Sequence, residues 1–293
     1  MNLRRTFGEK VFDTANVLIL LAFVFITLYP FIYVLFASLS KPSLFMSHEG
    51  FLLRPLGFYT ESYVMVFQNP IMVSGYLNTL FNVVVGTSLS LLLTTMGAYV
   101  LSKKAVLWGK AIVLFIVFTM FIKGGMIPFF LVVRGLGLYD NRLAMIIPYA
   151  ISTYNMIIMR TYFAGIPDAI EESAKVDGAK DVTVLFKIIL PMSMPIVAVM
   201  ILLYGVYYWN SWFSAVMFIR RRELYPLQLV LREVLIQNDY ASMTRGVGMS
   251  SSEYVALTVK YATIIVSIVP VLLIYPFLQK FFVKGIMIGA LKG

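Results

Sequence analysis

The chain has 293 residues, of which 60% are hydrophobic and only 13% charged, whereas soluble globular domains average about 45–50% apolar and about 25% charged residues. This composition predicts an integral membrane protein, organised as one helical domain over residues 1–293. A formal net charge of +10 would also be compatible with a nucleic-acid-binding protein. The basic residues, however, lie where apolar runs end, which is typical of membrane topology. The absence of cysteine excludes disulfides, Cys-ligated metals and thiol catalysis. A single histidine argues against most metal sites and against a Ser-His-Asp triad.

Six apolar runs approach the roughly 20 residues that a membrane-spanning helix needs. They are residues 17–38, 76–101, 107–122, 143–159, 196–219 and 256–282. The first run is too long for a signal peptide and is interpreted as a retained span. The third is followed by Gly124, Gly125 and Pro128, so we expect it to break there and to continue to residue 133 as a surface or half-inserted segment.

Six spans place both termini on one side of the membrane. That side then carries 13 basic residues and the opposite side 9, which predicts cytoplasmic termini by the positive-inside rule. The long outer loops are residues 40–72 and 220–255, and the main inner loop is residues 160–191.

The inner loop has the composition of a helix–turn–helix. Pro167 suits a first helical turn, and the acidic residues that follow it favour the positive end of the helix dipole. Gly178 can adopt the left-handed conformation that ends a helix. Residues 179–186 are expected to form a second short helix, and Pro191 to open the next span.

The spacing within this loop resembles the EAA signature of permease subunits of binding-protein-dependent ABC importers. The matching residues are Glu172-Ser173-Ala174, Asp177-Gly178-Ala179 and Ile188-Ile189-Leu190-Pro191. Ser173 departs from the usual alanine, a small-for-small change. The six-span layout, the Gly124-Gly125-x-x-Pro128 break and Tyr208-Trp209-Asn210-x-Trp212 extend the resemblance to nearly the whole chain, within the carbohydrate branch typified by the smaller maltose-type permease. Within that branch the chain resembles permeases associated with complex or acidic oligosaccharides, including those of alginate-type importers.

This resemblance implies a type I importer permease fold in a bacterial inner membrane, with a cytoplasmic coupling helix that docks on an ATPase. The coupling residues it implies are Glu171, Glu172, Ser173, Ala174, Asp177, Gly178, Ala179, Ile188, Leu190 and Pro191. The implied partners are a second permease, two copies of an ATPase subunit, an external solute-binding protein and the surrounding lipid. No phosphate-binding loop occurs in the sequence, since Gly109-Lys110 is followed by Ala111. We therefore expect no catalytic residue, metal or cofactor in this chain, with ATP and Mg²⁺ bound by the partner ATPase.

Aromatic residues in the fifth run are candidates for a sugar pathway, because aromatic faces stack on sugar C–H surfaces and amides bind hydroxyls. The candidates are Tyr204, Tyr208, Trp209, Asn210 and Trp212, and the alternative is packing between helices or anchoring at the membrane interface. Helical geometry keeps Tyr208 and Asn210 from facing the same way. Lys123, a cation beside the glycine pair, is a further candidate, or it reaches to the interface.

Arg220, Arg221 and Arg222 open the last outer loop, against the positive-inside tendency. Arginine binds carboxylates bidentately, so the cluster suggests an acidic, uronate-based oligosaccharide. The alternatives are a salt bridge to Glu223 or a contact with an acidic patch of the binding protein.

Three other functions remain open at this point. An ABC permease for another solute, such as an amino acid or a metal, would share the inner loop. An ion-coupled secondary transporter would normally carry acidic residues within its spans, and none of the 14 acidic residues falls in the centre of a predicted span. The third is a membrane-embedded enzyme such as a glycosyltransferase, but we identify no candidate acidic pair on the inner side outside the inner loop, and the chain has a single histidine.

Overall fold

The computed structural model describes residues 6–122, 124–236 and 249–290, and in the last segment the side chains of 255–274 and 276. The regular elements in this part of the chain are helices, which agrees with the predicted all-α class. In chain order they are α1 Phe7–Ser38, α2 Pro42–Met46, α3 Glu61–Gln68, α4 Pro70–Ser102, α5 Gly109–Phe121, α6 Met126–Gly135, α7 Thr153–Ala164, α8 Asp168–Val176, α9 Asp181–Val184, α10 Leu190–Met192, α11 Met194–Trp209, α12 Phe213–Phe218, α13 Leu227–Ile236 and α14 Met249–Ala290.

The chain divides into two compact units, Met1–Asn69 with Glu233–Ile268 and Pro70–Arg232 with Val269–Gly293. In the first unit, α1 begins with a capping box in which Thr6 and Glu9 satisfy each other's backbone N–H groups. Ala37, Phe45 and Leu52 form one of its buried clusters, and the Ser62 hydroxyl donates to Thr258 across 3.0 Å.

In the second unit, α7 and α11 pack on α4. Small and hydroxylated residues spaced four apart on α4 receive the tyrosines of α11. Ser90 Oγ lies 3.0 Å from Tyr208 Oη, and Thr94 Oγ1 lies 2.6 Å from Tyr204 Oη. At Gly86 a Cβ atom would lie 2.6 Å from the Tyr208 ring. Only glycine therefore allows the two helices to approach this closely, as is common in membrane bundles.

Three helices among the described residues are long and apolar enough to cross a membrane, or up to six if each bent pair of helices counts as one span. The predicted runs 17–38, 76–101 and 256–282 lie within the continuous helices α1, α4 and α14. The predicted break after the third run is confirmed, because α5 ends at Phe121 and α6 begins after Gly125, whose φ is +84°.

The prediction of a single helix over residues 143–159 is wrong. Two short 3₁₀ turns, Arg142–Met145 and Ile147–Tyr149, precede α7 at a bend of 47°. Pro148 lies in the second turn, and Ser152 caps α7 by accepting the N–H of Asn155. Both features favour starting a new helix rather than continuing one.

The prediction of one helix over residues 196–219 is also wrong, because α11 ends at Trp209 and α12 begins at Phe213. The side chains of Asn210 and Ser211 donate to the carbonyls of Val206 and Tyr208, which competes with helical pairing. The second helix of the inner loop also differs from prediction. It covers Asp181–Val184 and continues as a π turn to Ile189, and Pro191 lies in α10, before an 88° bend that leads into α11.

Candidate functional site

The segment of residues 160–191 contains the helix–turn–helix that the sequence predicts. Asp177 is the C-cap of α8, and Gly178 follows with a φ of +84°. The N–H of Gly178 donates to the carbonyl of Lys175, and the N–H of Ala179 donates to that of Ala174, each across 3.0 Å. This pair of bonds is the Schellman arrangement, in which a left-handed glycine closes the helix.

The helix α8 has one face packed against the rest of the chain, its inner face, and one face exposed, its outer face. Ala174 is buried, and the side chain of Glu171 is only 12% exposed. The outer face carries Glu172, Ser173, Asp177 and Gly178. Two apolar side chains also project from this segment, because Val176 is 87% and Val182 68% exposed.

Glu171 joins α8 to the end of α4. Its Oε1 atom accepts the Tyr99 hydroxyl across 2.9 Å and lies 3.2 Å from Lys175 Nζ, and its Oε2 atom pairs with Lys103. The ammonium group of Lys103 also lies 4.1 Å from the centre of the Tyr99 ring. Three donors thus surround one nearly buried carboxylate, which fixes α8 on α4.

A cavity of about 200 Å³ lies beside this contact and is lined in part by Tyr99, Arg160 and Glu171. Burial lowers the pKa of Lys103, and the positive charge of Lys175 lowers it further, whereas Asp168 and Asp181 act in the opposite direction. A second, exposed ion pair joins Lys104 to Asp168 across 2.8 Å. The hydrogen bond from Lys104 holds the pKa of Asp168 below its ordinary value.

The remaining residues of the EAA-like pattern lie along the inner side of the segment. Ala179, Ile188 and Leu190 are half-buried and pack against the main core of the second unit. Pro191 is exposed. The pattern therefore combines outward-facing polar residues with apolar residues that hold the segment in place.

Tyr204 and Tyr208 are buried, with 2% and 0% of their surface exposed. Tyr204 also accepts the backbone N–H of Ser152 across 3.2 Å, and Tyr208 donates to the carbonyl of Tyr149 across 3.4 Å. Within this chain both tyrosines pack between helices, which is the alternative that the sequence left open.

The other aromatic candidates lie at the end of α11. Trp209 is buried, and its ring meets Tyr76 edge-on at 6.1 Å. Asn210 is exposed, so it does face differently from Tyr208, as helical geometry predicts. Trp212 is half-buried, and the Arg232 guanidinium lies 4.0 Å from the centre of its ring.

Arg221 is held by Asp140 rather than by Glu223. Its Nε donates to Asp140 Oδ2 across 3.0 Å, and a second guanidinium nitrogen donates to the Asp140 carbonyl across 2.8 Å. Asp140 Oδ1 accepts the backbone N–H groups of Arg220 and Arg221. These backbone bonds are the main reason that the pKa of Asp140 is lowered. Of the three arginines, at least Arg221 therefore serves the fold.

Lys123, the remaining candidate, lies outside the described residues. Sequence reasoning missed several residues that the structure brings into these sites, among them Tyr99, Lys103, Asp140 and Arg232. For Asp140 a weak signal existed, because aspartate tolerates the left-handed backbone found there, with a φ of +56°. For Arg232 there was none, because a stacking partner 20 positions away leaves no local pattern.

No family model matches the chain, but its similarity to known proteins covers nearly its full length. It is 39% identical to the polygalacturonan/rhamnogalacturonan transport system permease protein YtcP of Bacillus subtilis, over 97% of this chain and 99% of that protein. It is 37% identical to Protein LplC of the same organism, over 99% of this chain and 98% of that protein.

A solved structure shows the same fold. It is a crystal structure of a bacterial ABC transporter involved in the import of the acidic polysaccharide alginate. One chain of that structure matches the present chain with a TM-score of 0.88 and 33% sequence identity, over 96% of this chain and 100% of that chain. The helical fold and these similarities define a membrane-embedded transport permease. The chain belongs to the family of sugar permeases of ABC transporters.

Proposed function

We propose that this chain is one permease subunit of an ATP-driven importer for acidic oligosaccharides, in which it forms half of the translocation pathway. The observation that carries this proposal is full-length similarity to two proteins whose names specify such substrates. One is a polygalacturonan/rhamnogalacturonan permease, and the other is a chain of an alginate importer with a TM-score of 0.88.

The complete importer requires partners. The sequence contains no phosphate-binding loop, so ATP hydrolysis belongs to two copies of a separate ATPase subunit. A second permease supplies the other half of the pathway, and an external solute-binding protein delivers the sugar. The pathway opens outward when ATP closes the ATPase pair and inward after hydrolysis, as a rigid-body movement.

The helix α8 is the proposed contact with the ATPase. Its outer face offers Glu172 and Asp177 beside the exposed Val176, a mixture of charge and apolar surface that suits a protein interface. Glu171 holds the opposite face on α4. Movement of α8 would therefore be transmitted directly to a helix of 33 residues that forms the centre of the second unit.

The proposal of an acidic substrate is supported by the exposed cations that follow α12. Arg220 is exposed, while Arg221 is engaged with Asp140. A carboxylate-bearing sugar would gain charge-assisted hydrogen bonds from cations of this kind.

The test is co-purification of the tagged chain from its native membrane, followed by ATPase assays with the binding protein and either oligogalacturonate or a neutral oligosaccharide. We expect recovery of an ATPase and a second permease, with stimulation by the acidic sugar. Recovery of the chain alone, with ion-driven uptake, would favour a secondary transporter. If an amino acid or a metal ion, added in place of the oligosaccharide, stimulated ATP hydrolysis instead, the ABC class would stand and the sugar would be rejected.

A further inference from the structure

Building on the proposed function, we propose that Trp212 and Arg232 form a binding subsite for the carboxylate of a uronic acid unit. The two residues are 20 positions apart in the sequence. The fold brings the exposed arginine of α13 over the indole ring that follows α11. The pair combines the two groups needed to recognise an acidic sugar, an apolar aromatic surface and a bidentate cation.

The position of Trp212 is set by the break between α11 and α12. Its backbone N–H donates to the carbonyl of Asn210 across 2.9 Å, and its ring meets Phe213 edge-on at 5.5 Å. The residue packs partly against the main core and is half-exposed. The indole is thus anchored from one side and has surface left for a ligand.

Arg232 lies on α13, with its guanidinium carbon 4.0 Å from the centre of the Trp212 ring. It is exposed, and no carboxylate among the described residues forms a salt bridge with it. A guanidinium that stacks through its face keeps its N–H donors in the plane of the group. A cation–π contact occupies none of these donors, so a carboxylate can still accept two of them.

The contrast with Arg221 supports this assignment. The Arg221 guanidinium donates to both the side chain and the carbonyl of Asp140, so its donors already hold two loops together. Arg232 contacts an aromatic ring instead, and this contact uses none of its N–H groups as hydrogen-bond donors. Of these two arginines, Arg232 is therefore the one suited to a transported anion.

The experiment uses the purified importer, with both permeases and the ATPase subunits and without the binding protein. Trigalacturonate is titrated while tryptophan fluorescence is followed, with galactotriose as the neutral probe. The contribution of Trp212 is the part of the signal that Trp212→Phe removes. We expect a signal with trigalacturonate only, which weakens as salt is raised.

Arg232→Gln should weaken the apparent affinity about tenfold or more, since a tenfold change is about 1.4 kcal/mol and a charge-assisted pair exceeds that. Arg232→Lys should be intermediate, because it keeps the charge and loses the planar fork. The matched control is Arg134→Gln, which removes one exposed positive charge from the last turn of α6 and should leave the affinity unchanged. Co-purification of the second permease and the ATPase subunits confirms assembly of each variant.

An unchanged affinity in Arg232→Gln, an equal loss in Arg134→Gln, or an equal Trp212 signal with galactotriose would overturn the subsite. These results are distinguishable from failure of the proposed function. If oligogalacturonate and binding protein still stimulate the ATPase, the importer stands and only the subsite is rejected. If no ATPase co-purifies, the proposed function itself is wrong.

Discussion

Individual side chains in this permease join segments that lie far apart in sequence. Glu171 connects α8 with Tyr99 and Lys103 at the end of α4, 68 to 72 positions away. Asp140 connects its loop with Arg221, 81 positions away. Each carboxylate takes part in three or more hydrogen bonds or ion pairs, so each one fixes the relative position of two segments of the chain.

Glu171→Gln should uncouple transport from ATP hydrolysis. The amide keeps the size of the side chain and an acceptor for Tyr99, but it loses the ion pairs with Lys103 and Lys175, at a cost of about 1–3 kcal/mol. We expect sugar uptake to fall severalfold while ATPase activity persists, measured as sugar transported per ATP hydrolysed in proteoliposomes.

Asp168→Asn is the matched control, because it removes an ion pair between the same two elements in which both side chains are well exposed, and exposed pairs contribute little. The combined exchange Glu171→Lys with Lys103→Glu should restore part of the coupling. Equal losses in Asp168→Asn and Glu171→Gln would contradict a special role for Glu171.

Gly178→Pro should disrupt the end of α8. Proline fixes φ near −65° and removes the N–H, whereas Gly178 has a φ of +84° and donates to Lys175. Membrane insertion should be normal, and binding-protein-stimulated ATPase activity should be lost. Lys180→Pro is the control, since Lys180 already has a φ of −77°. Wild-type stimulation in Gly178→Pro would argue against α8 as the ATPase contact.

The contact of Asp140 should be lost in acid. Because its pKa is lower in the folded chain than its ordinary value of 3.8, the contribution of the carboxylate to stability is complete above that value and disappears as the pH falls through the folded value. Thermal unfolding of wild type and Asp140→Asn should therefore differ by a constant amount between about pH 5 and pH 8 and converge below about pH 4. A difference that persisted in acid would show that charge is not involved.

At the scale of whole helices, the packing of α4 against α11 depends on small residues at four-residue spacing. Gly86 lets the Tyr208 ring lie against the α4 backbone, and the hydroxyls of Ser90 and Thr94 give the tyrosines polar partners. The tyrosine hydroxyls are thereby satisfied in a buried environment, where an unpaired polar group would be costly.

Gly86→Ala should destabilise this packing, because the added methyl group would overlap the Tyr208 ring, and overpacking costs about 1–3 kcal/mol. The matched control is Gly205→Ala on α11, where a Cβ atom would have no neighbour within 4 Å. The measurement is thermal unfolding of the purified protein in detergent. Equal melting temperatures for the two variants would contradict the close approach of α4 and α11.

At the scale of the whole molecule, the orientation in the membrane is open to direct measurement because the chain has no cysteine. Leu53 and Val176 are 75% and 87% exposed, and the predicted six-span topology would place them on opposite sides of the membrane. Leu53→Cys should react with a membrane-impermeant maleimide in intact cells, and Val176→Cys only in inverted vesicles.

The ATPase provides a further control for this labelling. If α8 docks on it, Val176→Cys should be protected when the ATPase subunits are present and reactive when they are absent, while Leu53→Cys is unaffected. Labelling of both positions from the same side would reject the predicted topology.

The sequence by itself determined the membrane class, the three long helices, the break at Gly124-Gly125 and the turn at Gly178. These features depend on the length of apolar runs and on local backbone preferences, both of which are encoded within a few residues. The helix over residues 168–176 was predictable for the same reason, because Pro167 and Gly178 mark its two ends.

Only the tertiary structure decided which polar groups meet. The sequence gives no signal that Glu171 contacts Tyr99, that Asp140 holds Arg221, or that Arg232 stacks on Trp212, because such pairs form between elements that the fold brings together. The breaks within residues 143–159 and 196–219 were missed because hydrophobicity measures whether a segment prefers lipid, whereas the side chains of Ser152, Asn210 and Ser211 decide where its helix starts and stops. The burial of Tyr204 and Tyr208 also depends on another helix. Gly86 on α4 leaves the space that the Tyr208 ring fills, and Thr94 on the same helix lies within hydrogen-bond distance of the Tyr204 hydroxyl.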